Sequence, residues 1–298
     1  MSRVYQNTYS PIVNSSLVGG RLTLESGVSI SSTDQTAKTT LYYTPHIHSS
    51  IGLYNTTTLV WVPYTFTERS LALGTLSSGF NYDVFIYSNA GTLTLAASVW
   101  TSNTARATAI SLQDGVYVKT SDKSYRYLGT FRTTTTTTTE DSEAKRFLYN
   151  CSNQVSRNSL GNFGYVDDNA QQTFSFTSSY LWAPLNGGTA NKCEWVNGLT
   201  SNVNMSACVF AIPGAGSSAY TGIGIDTTTG GDIFVTCLAT AHVDAGKGFA
   251  KAFTLGYHYI SLNGFTIGAI ATTFYKDAVR YGSVSDSRIT FILAQLNM

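Results

Sequence analysis

Residues Arg126–Asn150 read RYLGTFRTTTTTTTEDSEAKRFLYN: a hairpin-like run of alternating residues enters seven consecutive threonines, Thr133–Thr139, and then a charged cluster. Alternation is the period of a half-buried strand, and threonine, with a methyl and a hydroxyl on a branched Cβ, fits a pleated surface. The stretch reads as the seam between two β-rich halves. Two readings of the threonines stand side by side. One is an extended strand or interface segment, with Arg132 before it and Glu140-Asp141 after it limiting uncontrolled pairing. The other is a flexible low-complexity linker. Glu140–Tyr149 fits either one helical turn or a strand.

Outward from the seam, the composition carries the same message. A hydrophobic share of 43% over 298 residues can fill real cores, which argues against disorder. Charged residues make up only 12% of the chain, about half the usual share, so Ser, Thr, Asn and Tyr must cover the surface. Glycine (26), tyrosine (19) and few prolines (5) suit short strands joined by tight turns. A net charge of +1 supplies no basic field for phosphates, so no nucleic-acid partner is expected. MSRVYQNTYSPIV lacks a basic start followed by an apolar run, and no later window reaches the length that crosses a bilayer, so neither export by the general route nor membrane insertion is expected.

Met1–Gly20 is polar and closes on Gly19-Gly20, an extended N-terminal arm. Short strand patterns follow, with hairpins expected to turn at Asn89-Ala90-Gly91 and at Ser121-Asp122-Lys123. In LALGTLSSGFNYDVFIY, Leu73, Leu76 and Tyr82 precede the alternating Val84 and Ile86. That spacing resembles the approach to a strand in fibronectin-like sandwiches, where a tyrosine corner pins the turn, and competes with an ordinary core tyrosine. Beyond Asn150 the strand rhythm resumes, enough for a second sandwich, plausibly of jelly-roll type. The expected fold is all-β: an arm over 1–20, a β module over 21–150 and a β-sandwich module over 151–298. No fixed-period repeat points to a propeller or solenoid.

The order of GRLTLESG, LYYTPHIHSSIGLYN, SLALGTLSSGFNYDVFIYSNAGTLTL, RATAISLQDGVYVKT and RYLGTFRTTTTTTTEDSEAKRFLYN resembles a family of structural proteins of tailed bacteriophages and prophages. The likeness is strongest over Gly20–Asn150 and continues more weakly through NGGTANKCEWV, YTGIGIDTT and LGYHYISLNG. It implies a virion component, oligomeric and sited on the tail or the capsid exterior, assembled in the host cytoplasm. It brings no active-site residues. The first module would attach to the particle, and the second would face the host. The leading expectation is a tail-fibre or receptor-binding protein, a homotrimer in contact with other virion proteins and a host glycan. A capsid cement protein bridging capsomers is the alternative, and a small glycan depolymerase the second. The chain departs from the family after Thr44-Pro45, where relatives carry Tyr-Lys or similar and this sequence reads His46-Ile47-His48.

Candidate sites follow from side-chain chemistry. On a strand, His46 and His48 would project to one face, and three copies around an axis could cage a transition metal; loop or solvent-facing histidines are the competing reading. Tyr180, Trp182, Trp195 and Tyr220 offer stacking surfaces for sugars, against the competing reading that most are core. Cys151, Cys193, Cys208 and Cys237 lack a Cys-x-x-Cys pair and read as buried free thiols. Gly-x-Ser-x-Gly is absent, and His242 with Asp244 makes no triad by proximity alone. Asp167-Asp168, Glu194, Asp226 and Asp232 are the carboxylates a glycosidase would draw on, with turn formation the competing role. No catalysis and no cofactor are expected.

Overall fold

A computed structural model describes residues 16–160, 173–176, 183–184, 192–213, 218–238, 243–267, 272–275, 280–281, 284–285 and 291–298. The described elements are all strands, in two compact units. One comprises Met1–Asp141, Phe147–Gln154 and Met298; the other comprises Ser142–Arg146 and Val155–Asn297. The division falls four residues beyond the expected boundary, and five residues of the charged cluster after the threonines belong to the second unit.

In the first unit the strands are β1 (Gly20–Thr23), β2 (Gln35–Lys38), β3 (Thr40–Pro45), β4 (Ser50–Asn55), β5 (Val60–Thr65), β6 (Arg69–Ala72), β7 (Asn81–Asn89), β8 (Thr92–Val99), β9 (Ile110–Gln113), β10 (Val116–Lys119), β11 (Asp122–Arg132) and β12 (Thr139–Asp141). β13 (Lys145–Arg146) lies in the second unit, and β14 (Leu148–Asn150) returns to the first. One sheet runs β1-β3-β6, beside the β4–β5 hairpin; the larger runs β8-β7-β11-β10-β9, with β14 also paired to β11. Alternation sorts the side chains. Tyr82, Val84 and Ile86 of β7, Leu93 and Leu95 of β8, and Leu128 and Phe131 of β11 share one buried cluster with Leu22, Leu41, Tyr43, Ile51 and Leu53 of the facing strands. That arrangement is the sandwich-like packing the alternation predicts.

The turns explain much of the register. Asn89 pairs with Thr92, leaving a two-residue turn in which Ala90 (φ 48°) and Gly91 (φ 87°) are both left-handed, the type I′ geometry that matches strand twist. The second expected hairpin is displaced: Lys119 pairs with Asp122, so the turn is Thr120-Ser121. A further hairpin, Gln113 to Val116 through Asp114-Gly115, went unassigned despite its Asp-Gly signal.

The threonine run is neither a strand nor a free linker. Thr133 and Thr139 form an antiparallel bridge, and Thr134–Thr138 fold between them as a turn. Thr134 N donates to Thr138 O at 2.8 Å, the Thr134 and Thr138 hydroxyls meet at 2.9 Å, and those of Thr135 and Thr138 at 2.7 Å. Thr133 Oγ1 donates to Ser77 O at 2.7 Å, and Leu76 N to Thr136 O at 2.6 Å. The run closes as a loop because a hydroxyl can both donate and accept, and Thr133, Thr134, Thr135, Thr138 and Thr139 all use theirs. After it, Glu140–Tyr149 carries short strands and no helical turn.

The described end of the arm is bonded into the first unit. Gly52 N donates to Leu17 O at 3.0 Å, and the Arg126 guanidinium donates to Leu17 O at 2.9 Å and Gly52 O at 2.8 Å. Burial lowers this guanidinium to about 10. Asn153 Nδ2 adds bonds to Val18 O (2.6 Å) and Gly20 O (2.9 Å).

The second unit adds β15 (Ser156–Leu160), β16 (Thr173–Phe176), β17 (Ala183–Pro184), β18 (Lys192–Asn197), β19 (Ser201–Pro213), β20 (Ser218–Ile225), β21 (Ile233–Leu238), β22 (Val243–Phe253), β23 (Gly256–Ile267), β24 (Thr272–Tyr275), β25 (Arg280–Tyr281), β26 (Val284–Ser285) and β27 (Phe291–Asn297). β13-β18-β23-β20-β21 forms one sheet and β15-β27-β19-β24-β16 the other, with β22 along β19. Buried Cys193 of β18 points its thiol at Ser159 O (3.2 Å) and Ile292 O (3.4 Å), so the two sheets face each other across it. Cys151, Cys193 and Cys208 are free thiols.

Candidate functional site

The aromatic candidates separate on inspection. Trp195 has no exposed surface: it alternates inward with Cys193 on β18 and packs edge-on against Phe253, with ring centroids 5.0 Å apart. It is a core residue, because its parity on the strand points it into the unit. Tyr220 is half-buried and lies flat on Phe265 at 4.5 Å, so one of its ring faces is covered. Tyr180 and Trp182 lie outside the described residues, as do His242, Asp167 and Asp168.

His46 and His48 sit in the bend between β3 and β4, so strand alternation does not govern where their rings point. His46 Nδ1 meets Ser29 Oγ at 3.0 Å, and His48 Nδ1 accepts from Ser50 N at 3.2 Å. The His48 ring closes its own turn, and the His46 ring ties the bend to the loop between β1 and β2.

Two carboxylates of the second unit, Asp226 and Glu194, act on Tyr259. Asp226, at a left-handed φ of 56°, accepts from Tyr259 N (2.9 Å) through Oδ1 and meets His258 Nδ1 (2.9 Å) through Oδ2. His258 Nε2 faces Thr254 O at 3.1 Å, so the ring satisfies both acceptors only when both nitrogens carry protons. Glu194 accepts a short bond from the Tyr257 hydroxyl, and Lys192 Nζ lies 4.1 Å from the Tyr259 ring centroid. Burial, then the charges of Asp226 and Glu194, raise the Tyr259 phenol above its ordinary value. Asp232 Oδ2 accepts from Ile225 N at 2.7 Å. Sequence reasoning singled out these carboxylates without their partners, which for Asp226 and Glu194 lie on β23 and arrive only through sheet pairing.

The first unit buries an ion pair that no sequence motif announces. Arg106 donates to Asp83 at 2.7 Å and to the Tyr127 hydroxyl at 3.1 Å, and its guanidinium lies 4.6 Å from the Trp100 ring centroid. Thr130 Oγ1 donates to the other Asp83 oxygen at 2.7 Å. Burial opposes the charge on Arg106, yet Tyr127 and Asp83 hold its guanidinium above its ordinary value. With each partner bonded to the next, the cluster reads as an organising polar core.

At an end of the first unit, the turn after β4, the Ala90-Gly91 turn and the start of β11 enclose a cleft of about 300 Å³. Its lining includes Leu53, Tyr54, Asn55, Thr56, Tyr64 and Ser88, and none of its residues is charged. That volume lies at the small end of ligand sites. The signal for it was the cluster of hairpin tips, which sequence placed in an attachment module.

No family model and no curated protein matches the chain. Among solved structures, the insecticidal delta-endotoxin Cry8Ea1 from Bacillus thuringiensis is similar over 94% of this chain and 52% of its own, with 8% identity and a TM-score of 0.24. The chain thus spans about half the length of that toxin, and a likeness at this level carries no argument about function.

Proposed function

We propose that this chain is a non-catalytic structural component of a bacteriophage virion, an oligomer placed at the tail where it meets the host surface. The motif order over Gly20–Asn150 supports the virion assignment. The observation that carries the non-catalytic reading is how the candidate carboxylates Asp226, Asp232 and Glu194 are employed. Asp226 spends both oxygens on Tyr259 N and His258, Asp232 holds Ile225 N, and Glu194 holds Tyr257. A glycosidase needs one carboxyl free to give a proton and another free to attack or to activate water. Here Asp226 and Asp232 fasten the loop after β20 to its sheet, and Glu194 ties β18 to β23.

The low charge and the abundance of Ser, Thr and Tyr suit a surface that makes adaptable contacts with other proteins or with glycans. Quantitative mass spectrometry of gradient-purified particles tests the reading. The chain should co-purify with infectious particles at a low copy number per particle. Capsomer-level abundance would make it a head cement protein, and its absence from particles would reject the virion assignment.

A further inference from the structure

Several hydroxyls of the first unit are used internally. Tyr43 OH accepts from Gly20 N, Tyr82 OH from Ser77 N, Tyr127 OH meets Thr130 Oγ1, and the threonine turn is closed by its own side chains. In the end cleft, by contrast, unbonded hydroxyls converge on one space. Tyr54, Thr56, Tyr64 and Ser88 all line it, and none of their hydroxyls makes a hydrogen bond to a described residue. Asn55 adds its side-chain N–H groups, since its Oδ1 alone is engaged, by Thr57 N and Thr58 N at 2.9 Å each.

The walls are preformed. The Asn55 bonds lock the turn after β4, the left-handed Ala90-Gly91 pair fixes the opposite turn, and Ser124 Oγ is tied to Asp122 at 2.7 Å. A rigid site spares a ligand the cost of ordering loops. The lining also excludes by charge: it holds no cation for a phosphate or carboxylate and no carboxylate for an amine. What it offers is hydroxyls, one amide and two tyrosines beside the apolar Leu53.

We propose that this cleft binds a neutral, hydroxyl-rich ligand, a sugar residue of an uncharged glycan. Hydroxyl and amide groups pair with sugar hydroxyls, and the half-buried Tyr64 ring offers a surface for a C–H face of the sugar, while the Tyr54 ring is packed against Trp61 and contributes at its rim. This places ligand recognition in the N-terminal unit, where sequence reading had put attachment. The proposal rests on the cleft alone and stands or falls separately from the virion assignment.

Saturation-transfer difference NMR on the purified full chain tests it, with D-glucose, D-galactose and N-acetyl-D-glucosamine as probes and D-glucuronate as the charged comparator. At least one neutral sugar should receive saturation, with D-glucuronate weaker. Joint Tyr64→Phe and Ser88→Ala substitution should weaken that sugar about threefold to tenfold or more, the scale of one or two neutral hydrogen bonds. Ser88→Trp, which fills the space, should abolish transfer while the circular dichroism spectrum stays that of the parent. Tyr220→Ala in the second unit should leave transfer unchanged. A purified neutral polysaccharide competing with the free sugar would identify a glycan as the source; a free sugar it cannot displace would reject the glycan. No transfer to any neutral sugar, transfer insensitive to both cleft variants, or loss on Tyr220→Ala instead would overturn the proposal.

Discussion

The Tyr82 hydroxyl accepts a hydrogen bond from the backbone N–H of Ser77 at 2.8 Å, five residues upstream, while the Tyr82 ring stacks on Phe131 at 5.3 Å. This closes the turn before β7 as a tyrosine corner. Tyr82→Phe keeps the ring and removes the acceptor, so it should cost about 1–2 kcal/mol, the scale of a partly buried donor left unpaired. Urea unfolding of the full chain followed by tyrosine fluorescence measures it; an unchanged midpoint would remove the corner from the account.

The Asp83–Arg106 pair should be costly to break from one side. Arg106→Ala leaves the Asp83 carboxyl, 1% exposed, without its cation and should destabilise the chain by about 3–5 kcal/mol. A loss under about 1 kcal/mol in the same unfolding measurement would show that Thr130 alone can hold Asp83.

Acid should weaken the loop at Ser26-Gly27. Burial works against the charge on Glu68, but hydrogen bonds from Ser26 Oγ, Thr44 Oγ1 and Gly27 N, each 2.6 Å, outweigh it and hold the carboxyl below its ordinary 4.5. A depressed carboxyl contributes stability that is complete above the unfolded value and is lost as pH falls through the folded one. Thermal midpoints should therefore drop below about pH 4.5, and Glu68→Gln should be less stable at pH 7 with a shallower acid limb. Parallel acid limbs for the two proteins would contradict the role given to Glu68.

The loop after β20 should depend on His258. With both ring nitrogens facing acceptors, His258→Phe strips donors from Asp226 and Thr254 O while keeping a planar ring against Phe253. Amide exchange at Asp226 and Tyr259 should accelerate, whereas exchange on β19 and β27 of the same unit should not. Uniform acceleration across the second unit would mean that the substitution unfolds the whole unit rather than freeing the loop.

Some of this was readable from the chain alone. Alternation at Tyr82, Val84 and Ile86 identified a core-facing strand, and Asn89-Ala90-Gly91 identified its turn, because both signals are local. Trp195 was left open between a stacking surface and the core for want of a reference: a period of two says that neighbours face opposite ways, not which way is inward. The threonine run defeated pattern reading because it has no apolar period at all; its shape is decided by hydroxyl bonds within the run and to the distant Leu76 and Ser77. The His46-Ile47-His48 spacing suggested a strand that Pro45 and the following bend end first. The cleft was hidden for a related reason, since residues 53–64 and 88–91 meet only after the sheets assemble.

Immunogold labelling of intact particles with antibody raised against the full chain tests the central claim most directly. Gold confined to the tail is the predicted result. Gold distributed over the capsid, or particles that carry none, would contradict the assignment to a tail-borne virion component.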